Sequence, residues 1–289
     1  MIGVVHPESV RRSVLAEKVP ARTGDVENPE PTFESSWPVW HQSPVLWGGE
    51  RHLRSSTRAG SAMTQPPSGT YFSIVSVLLL VLSVVAFSDN LFTDVGQPSN
   101  RDPKFIVHGV FGLAWYALLA TQANLVRTRN LRLHRKLGVA AFLVAIGVTL
   151  STLYIFIVLW KGWANMEPEV RANRLLLPGY ALCILLAWRR RGRSDWHKRL
   201  IFIGTFFMLG PVVDRVYDPL VVSWAKPLFS TLYTSQVDEA AYLVFRWGSW
   251  IGFFLSLWLY DRKQIGRIHP VTRTGCIWFA LVVLISEFS

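Results

Sequence analysis

Between Lys104 and Arg127 lie 22 residues without a single Asp, Glu, Lys or Arg. As a helix rising about 1.5 Å per residue, that run reaches across a hydrocarbon core of about 30 Å. It carries His108, Trp115 and Gln122 at seven-residue intervals. On an α-helix this spacing drifts by only about 20° per step, so the three side chains share one face. An imidazole, an indole and an amide are costly against lipid, which turns the stripe toward other helices. Five basic residues (Arg127, Arg129, Arg132, Arg135 and Lys136) then follow, with His134 among them.

Six further apolar runs occupy residues 71–87, 137–160, 175–188, 200–216, 241–260 and 274–286. With 51% apolar and only 17% charged residues, the chain is too apolar for an ordinary soluble domain. The expected fold is all-α, an integral membrane bundle of about seven transmembrane helices spanning residues 67–289. Run 175–188 carries Pro178-Gly179, and run 200–216 carries Pro211 with Asp214-Arg215 at its far end. Run 241–260 contains Arg246, and the connection 217–240 has apolar pieces that suit an interfacial helix. Residues 1–66 lack an apolar run and hold seven acidic and seven basic side chains. Such a segment buries too little to offset the entropy of ordering, so a disordered tail is expected. It has no signal-peptide pattern, and Met63, just before the first run, marks an alternative start.

Loop charge orients the bundle. The connections after the second, fourth and sixth runs hold 5, 6 and 4 basic residues, against two acidic ones, Asp195 and Asp261. The other three connections hold 7 basic and 9 acidic residues. The positive-inside rule therefore puts the basic mouth and the N-terminus in the cytoplasm and the C-terminus outside. The net charge of +11 is a topology signal of this kind. The partner it implies is the lipid bilayer, and nucleic acid is not needed to account for it.

Histidine recurs at the basic mouth. LHRKLG (133–138) and WHKRLI (196–201) each put His before a cationic pair at the start of a run. IHP (268–270) places a third just before the last. His134, His197 and His269, with Gln122 arriving about 21 Å along its helix from His108, form a candidate cofactor site for haem or a metal ion. The competing reading makes these residues anchors that snorkel into the headgroups. At the other mouth His108, Asp214, Arg215 and Arg246 are expected to gather. An intramembrane charge site there suits a small-molecule transporter, or Arg246 simply neutralises Asp214. Cys183 and Cys276 lie inside apolar runs without ligand spacing and read as buried thiols. No nucleophile motif or metal-protease spacing points to a hydrolase or transferase.

The succession HGVFGLAWYALLATQANLVRTRNLRLHRKLG, DWHKRLIFIGTFFMLGPVVDR and LYDRKQIGRIHPVTRTG resembles a family of uncharacterised bacterial multispanning membrane proteins. Members show an H-G, W, Q and H-R-x-x-G series, an H-K-R-L entry and a closing G-R-x-H-P-x-T. The likeness covers roughly residues 70–289, on His108, Gly109, Trp115, Gln122, His134, Arg135, Gly138, His197, Asp214, Asp261, His269, Pro270 and Thr272. It implies a place in the plasma (inner) membrane and brings no activity with it. Through the H-R-x-x-G turn alone the chain is also similar to membrane haem proteins and oxidase-assembly proteins. Three functions stay open from the sequence: a haem- or metal-binding protein, a transporter, and a structural or assembly protein.

The orientation is testable directly. A reporter fused after Arg135 is expected to report cytoplasm, and one fused after Glu169 the exterior. The opposite pattern would invert both mouths.

Overall fold

A computed structural model describes residues 69–231 and 233–288, all within one compact unit, Ala62–Ser289. The polar tail and the alternative start at Met63 lie outside the described residues. Among the described residues there is no strand. The helices are α1 (Thr70–Ala86), α2 (Pro103–Arg127), α3 (Leu131–Val158), α4 (Pro168–Arg189), α5 (Ser194–Phe207), α6 (Gly210–Tyr217), α7 (Ser223–Leu228), α8 (Ser235–Ile265) and α9 (Pro270–Phe288).

Five of these, α2, α3, α4, α8 and α9, are individually long and apolar enough to cross a membrane. Helix α5 and the helical stretch Gly210–Leu228 pass the same test only together, bent by 54° at their break, as a broken span or a re-entrant pair. The seventh apolar segment, α1, has 17 residues and is the shortest. The outward positions confirm the solvent: Ile74, Leu143, Leu150, Ile157, Ile251 and Leu255 are exposed along the helix flanks. Aliphatic side chains facing outward over whole helices belong in lipid rather than water. The chain is thus an all-α, multi-pass membrane bundle.

Local chemistry sets the helix ends. Asp102 caps α2 by accepting from the Lys104 amide, with Pro103 in the first turn. Asn130 caps α3 by accepting from the Leu133 amide at 3.2 Å. The turn between α2 and α3 is tight, with Arg129 in the left-handed region at φ 60°. Helix α3 therefore starts six residues before its apolar run, and His134 rides on its first turns. In the same way α5 starts at Ser194 and carries His197 near its N-terminus. The break between α5 and α6 falls at Met208-Leu209, before Gly210-Pro211. A Cβ on Gly210 would sit 2.7 Å from Asn173 Oδ1 of α4, so a larger residue there would displace that amide. The connection 217–240 does hold helix, a π-helical turn Asp218–Val222 leading into α7.

Helices α4, α5 and α9 pack on one another, and glycines mark their crossings. A Cβ on Gly204 of α5 would lie 3.0 Å from Cys183 Cβ of α4. One on Gly275 of α9 would lie 2.6 Å from Ile203 Cγ2 of α5. Lipid tails are as apolar as Leu, so helices in a bilayer associate largely by close packing, and small residues permit it. By contrast, a Cβ on Gly109 meets nothing within 4 Å.

Gly204→Val is therefore expected to destabilise the detergent-solubilised bundle by about 1–3 kcal/mol through overpacking. Gly109→Ala should stay within about 0.5 kcal/mol of wild type. Thermal unfolding of the two variants followed by circular dichroism checks both, and equal midpoints would contradict this packing.

Candidate functional site

Two polar constructions occupy the basic mouth. The first lies between α2, α3, α4 and α5. Trp115 and Gln122 of α2 are both buried, and Tyr180 of α4 is fully buried with its ring edge-on to Trp115 at 5.9 Å. Below them, His134 of α3 and His197 of α5 bring their rings to 6.5 Å between centroids, at 86°. The His134 ring also faces the main-chain carbonyl of Gln122. His197 Nδ1 stands 2.9 Å from the Ala187 carbonyl at the end of α4, so Nδ1 carries a proton and donates it there. In the neutral ring, Nε2 is then left as the acceptor or ligand.

Several polar atoms of this line have no protein partner: Trp115 Nε1, both amide atoms of Gln122, His134 Nδ1 and Tyr180 Oη. An unsatisfied buried polar group costs roughly 1–3 kcal/mol, and its presence in a folded protein calls for a ligand, an ion or water. Their concentration on one path, from mid-bundle to the histidine pair, is the chemical feature of this half of the molecule. His108, higher on the same stripe, is engaged differently. Its Nδ1 lies 3.1 Å from Ser151 Oγ of α3, a helix-to-helix hydrogen bond.

The second construction joins α5, α8 and α9 around Asp261, whose side chain is 0% exposed. Its Oδ1 accepts from Arg199 Nε at 2.7 Å and lies 2.6 Å from Arg199 Nη2. Its Oδ2 accepts from the His269 amide at 3.0 Å and the Thr272 hydroxyl at 2.6 Å. Arg199, itself 2% exposed, sends Nη1 to the Asp195 carbonyl at 2.8 Å. The local sequence explains the joint residue by residue. Gly266 closes α8 in the left-handed conformation at φ 69°, and Pro270 opens α9 with a preset φ. His269 stands at the N-cap position, where its Nδ1 accepts from the Val271 amide at 3.2 Å. A carboxylate at this helix start also meets the positive end of the α9 dipole. The G-R-x-H-P-x-T pattern is in this way a helix–turn–helix joint locked by Asp261.

His269 thus belongs to the joint and not to the His134–His197 pair. Its ring is edge-on to Trp196 at 5.3 Å, with Nε2 3.6 Å from Asp195 Oδ2. Burial holds its imidazole below the ordinary histidine range, and the Arg199 charge adds to this. Among the described residues, no group of three or more His, Cys, Asp or Glu side chains is close enough to hold a metal ion.

At the opposite mouth, Arg246 of α8 pairs with Glu169 of α4 and lies 3.7 Å from Asp214 of α6. Tyr242 donates to the same Asp214 oxygen at 2.9 Å. Arg215 turns away from this cluster, donating to Asn90 Oδ1 at 3.0 Å over the Phe87 ring. His108 is not part of it.

Arg199 and Glu169 are the members that sequence reasoning missed. Both were counted as loop charges, yet Glu169 sits in the first turn of α4 and Arg199, buried, in the second turn of α5. Asp261 had a legible signal, one of two acids in an otherwise basic mouth. Compared with known families, curated proteins and solved structures, the chain matches none.

Removing Asp261 would strand the Arg199 charge and two other donors, the His269 amide and the Thr272 hydroxyl, in the interior. Asp261→Ala is expected to cost about 3–5 kcal/mol. Arg199→Met combined with Asp261→Ala should cost clearly less than the sum of the single changes, because the two share one interaction. Unfolding midpoints of the four proteins complete the cycle, and additive losses would show that the pair is not coupled.

Proposed function

We propose that the protein is a multi-pass membrane protein of the inner membrane, with its basic mouth in the cytoplasm, that binds haem through His134 and His197. The observation that carries this reading is the pairing of these two rings beside orphaned polar atoms of His134 and Gln122. With centroids 6.5 Å apart, the two rings are close enough that His134 and His197 would be the residues to hold the group. Haem can be held by one or two protein ligands, whereas a metal held by protein alone commonly uses three or four.

The surroundings support the assignment of roles. The Ala187 carbonyl orients His197 through Nδ1, leaving the far nitrogen for the iron. His134 offers Nδ1, which no protein group engages. Gln122 is placed to steady the His134 ring, and Trp115 and Tyr180 extend polar hydrogen-bonding capacity toward mid-bundle. When bound, haem would supply one-electron chemistry at the membrane surface. The basic mouth favours the haem propionates by charge.

A specific observation favours one alternative, transport of a charged solute from the other mouth. There Arg246 is shared between the carboxylates of Glu169 and Asp214, three charges held against helix ends.

Reduced-minus-oxidised spectra and metal analysis of the purified full chain decide the haem reading. Wild type is expected to give a bis-histidine haem spectrum that His134→Ala and His197→Ala abolish and His269→Ala retains. A folded wild type free of haem, after expression with haem precursor supplied, would sink it.

A further inference from the structure

The joint around Asp261 has an outer side. Against it lies a cavity of about 360 Å³, lined by Arg193, Asp195, Trp196 and Arg199 from α5 and its approach and by Arg267 and His269 from the α8–α9 turn. We propose that this cavity binds a phosphodiester monoanion, carried by the headgroup of an anionic phospholipid of the leaflet at the basic mouth. The inference is independent of haem, since none of its residues belongs to the His134–His197 pair.

The donor inventory points to an anion. His269 Nδ1 accepts the Val271 amide, so the neutral ring carries its proton on Nε2. That Nε2–H faces Asp195 Oδ2 at 3.6 Å, a contact long enough for an anion's oxygen to compete for the same donor. Arg267 makes no ion pair among the described residues. Arg193 lies over the Trp196 face at 5.3 Å, and no ion pair within 4 Å ties down its guanidinium among the described residues. Arginine forks match phosphate oxygens in geometry as well as charge.

Charge selects the kind of anion. Arg199 closes the back wall, but Asp261 neutralises it, so it contributes a rigid surface and no net charge. Arg193 and Arg267 against Asp195 leave one positive charge over. A phosphodiester, with one negative charge, balances it. A dianionic phosphate would meet the Asp195 carboxylate with charge in excess, and a zwitterionic headgroup would leave the positive charge uncompensated. Ile265 and Pro270, which also line the cavity, supply apolar contact for the glycerol end. Trp196 and the start of an apolar helix put the cavity at the depth where lipid phosphates reside.

The full-length protein in dodecyl maltoside is titrated with phosphatidylglycerol, phosphatidylcholine and inorganic phosphate, with binding read by native mass spectrometry and by the shift in unfolding temperature. Phosphatidylglycerol is expected to bind and stabilise, and the other two at least tenfold more weakly. Arg267→Gln, an exposed position whose change leaves the fold intact, should weaken phosphatidylglycerol about tenfold, and Arg267→Lys should restore part of the loss. Arg132→Gln, an exposed charge in the first turn of α3, should leave binding unchanged. Undiminished binding by Arg267→Gln, or an equal loss on Arg132→Gln, would reduce the effect to general attraction by the basic mouth and overturn the site. Inorganic phosphate binding as tightly as phosphatidylglycerol would overturn the lipid as its occupant.

Discussion

The Asp261 carboxylate is the interaction on which the basic-mouth half of the bundle depends. It takes four donor contacts from three places in the chain: the Arg199 fork on α5, the His269 amide and the Thr272 hydroxyl at the start of α9. Each partner alone would be a liability at membrane depth, a charge or an unpaired donor away from water. Together they leave none unsatisfied, and the requirement that all be present fixes the register of α5 against α8 and of α9 against both. Close packing of Gly204 and Gly275 against Cys183 and Ile203 is compatible with that register and leaves little room for another.

Polar satisfaction is distributed unevenly across the molecule. The Asp261 joint is complete, with every lone pair of its carboxylate directed at a donor. The far mouth is nearly so, Glu169 and Asp214 sharing Arg246 with Tyr242 in support. Between them, the line from Trp115 and Tyr180 to Gln122 and His134 holds five atoms without a protein partner. A fold that spends so many donors on one carboxylate and leaves a neighbouring line open has a rigid part and a receptive part. The functional reading rests on that contrast, with the histidine pair at the receptive end and the phosphate cavity on the outer wall of the rigid one.

Much of the architecture was legible because lipid acts as a solvent on composition and length. The stripe His108, Trp115, Gln122 was readable from spacing alone, and Trp115 and Gln122 are indeed buried. Helix starts were not: α3 and α5 begin within the basic turns, because Asn130 caps one and charged residues tolerate the first helical turn at a headgroup surface. The three histidines at one mouth looked equivalent in sequence. One of them is a helix cap, and only the other two meet. Arg215 and Asp214 are adjacent in the chain and point to different partners, since neighbours on a helix are about 100° apart.

By itself, the sequence determined the class of the protein, the apolar segments and the charge asymmetry of the two mouths, because each depends on the content of a segment and not on its neighbours. Only the tertiary structure decided which polar groups meet. Arg199 and Asp261 are 62 residues apart, and their pairing depends on how two helices are rotated about their axes. Rotation is set by packing at glycine crossings and by the sum of polar contacts over several helices, a property of the assembled bundle that no single segment encodes.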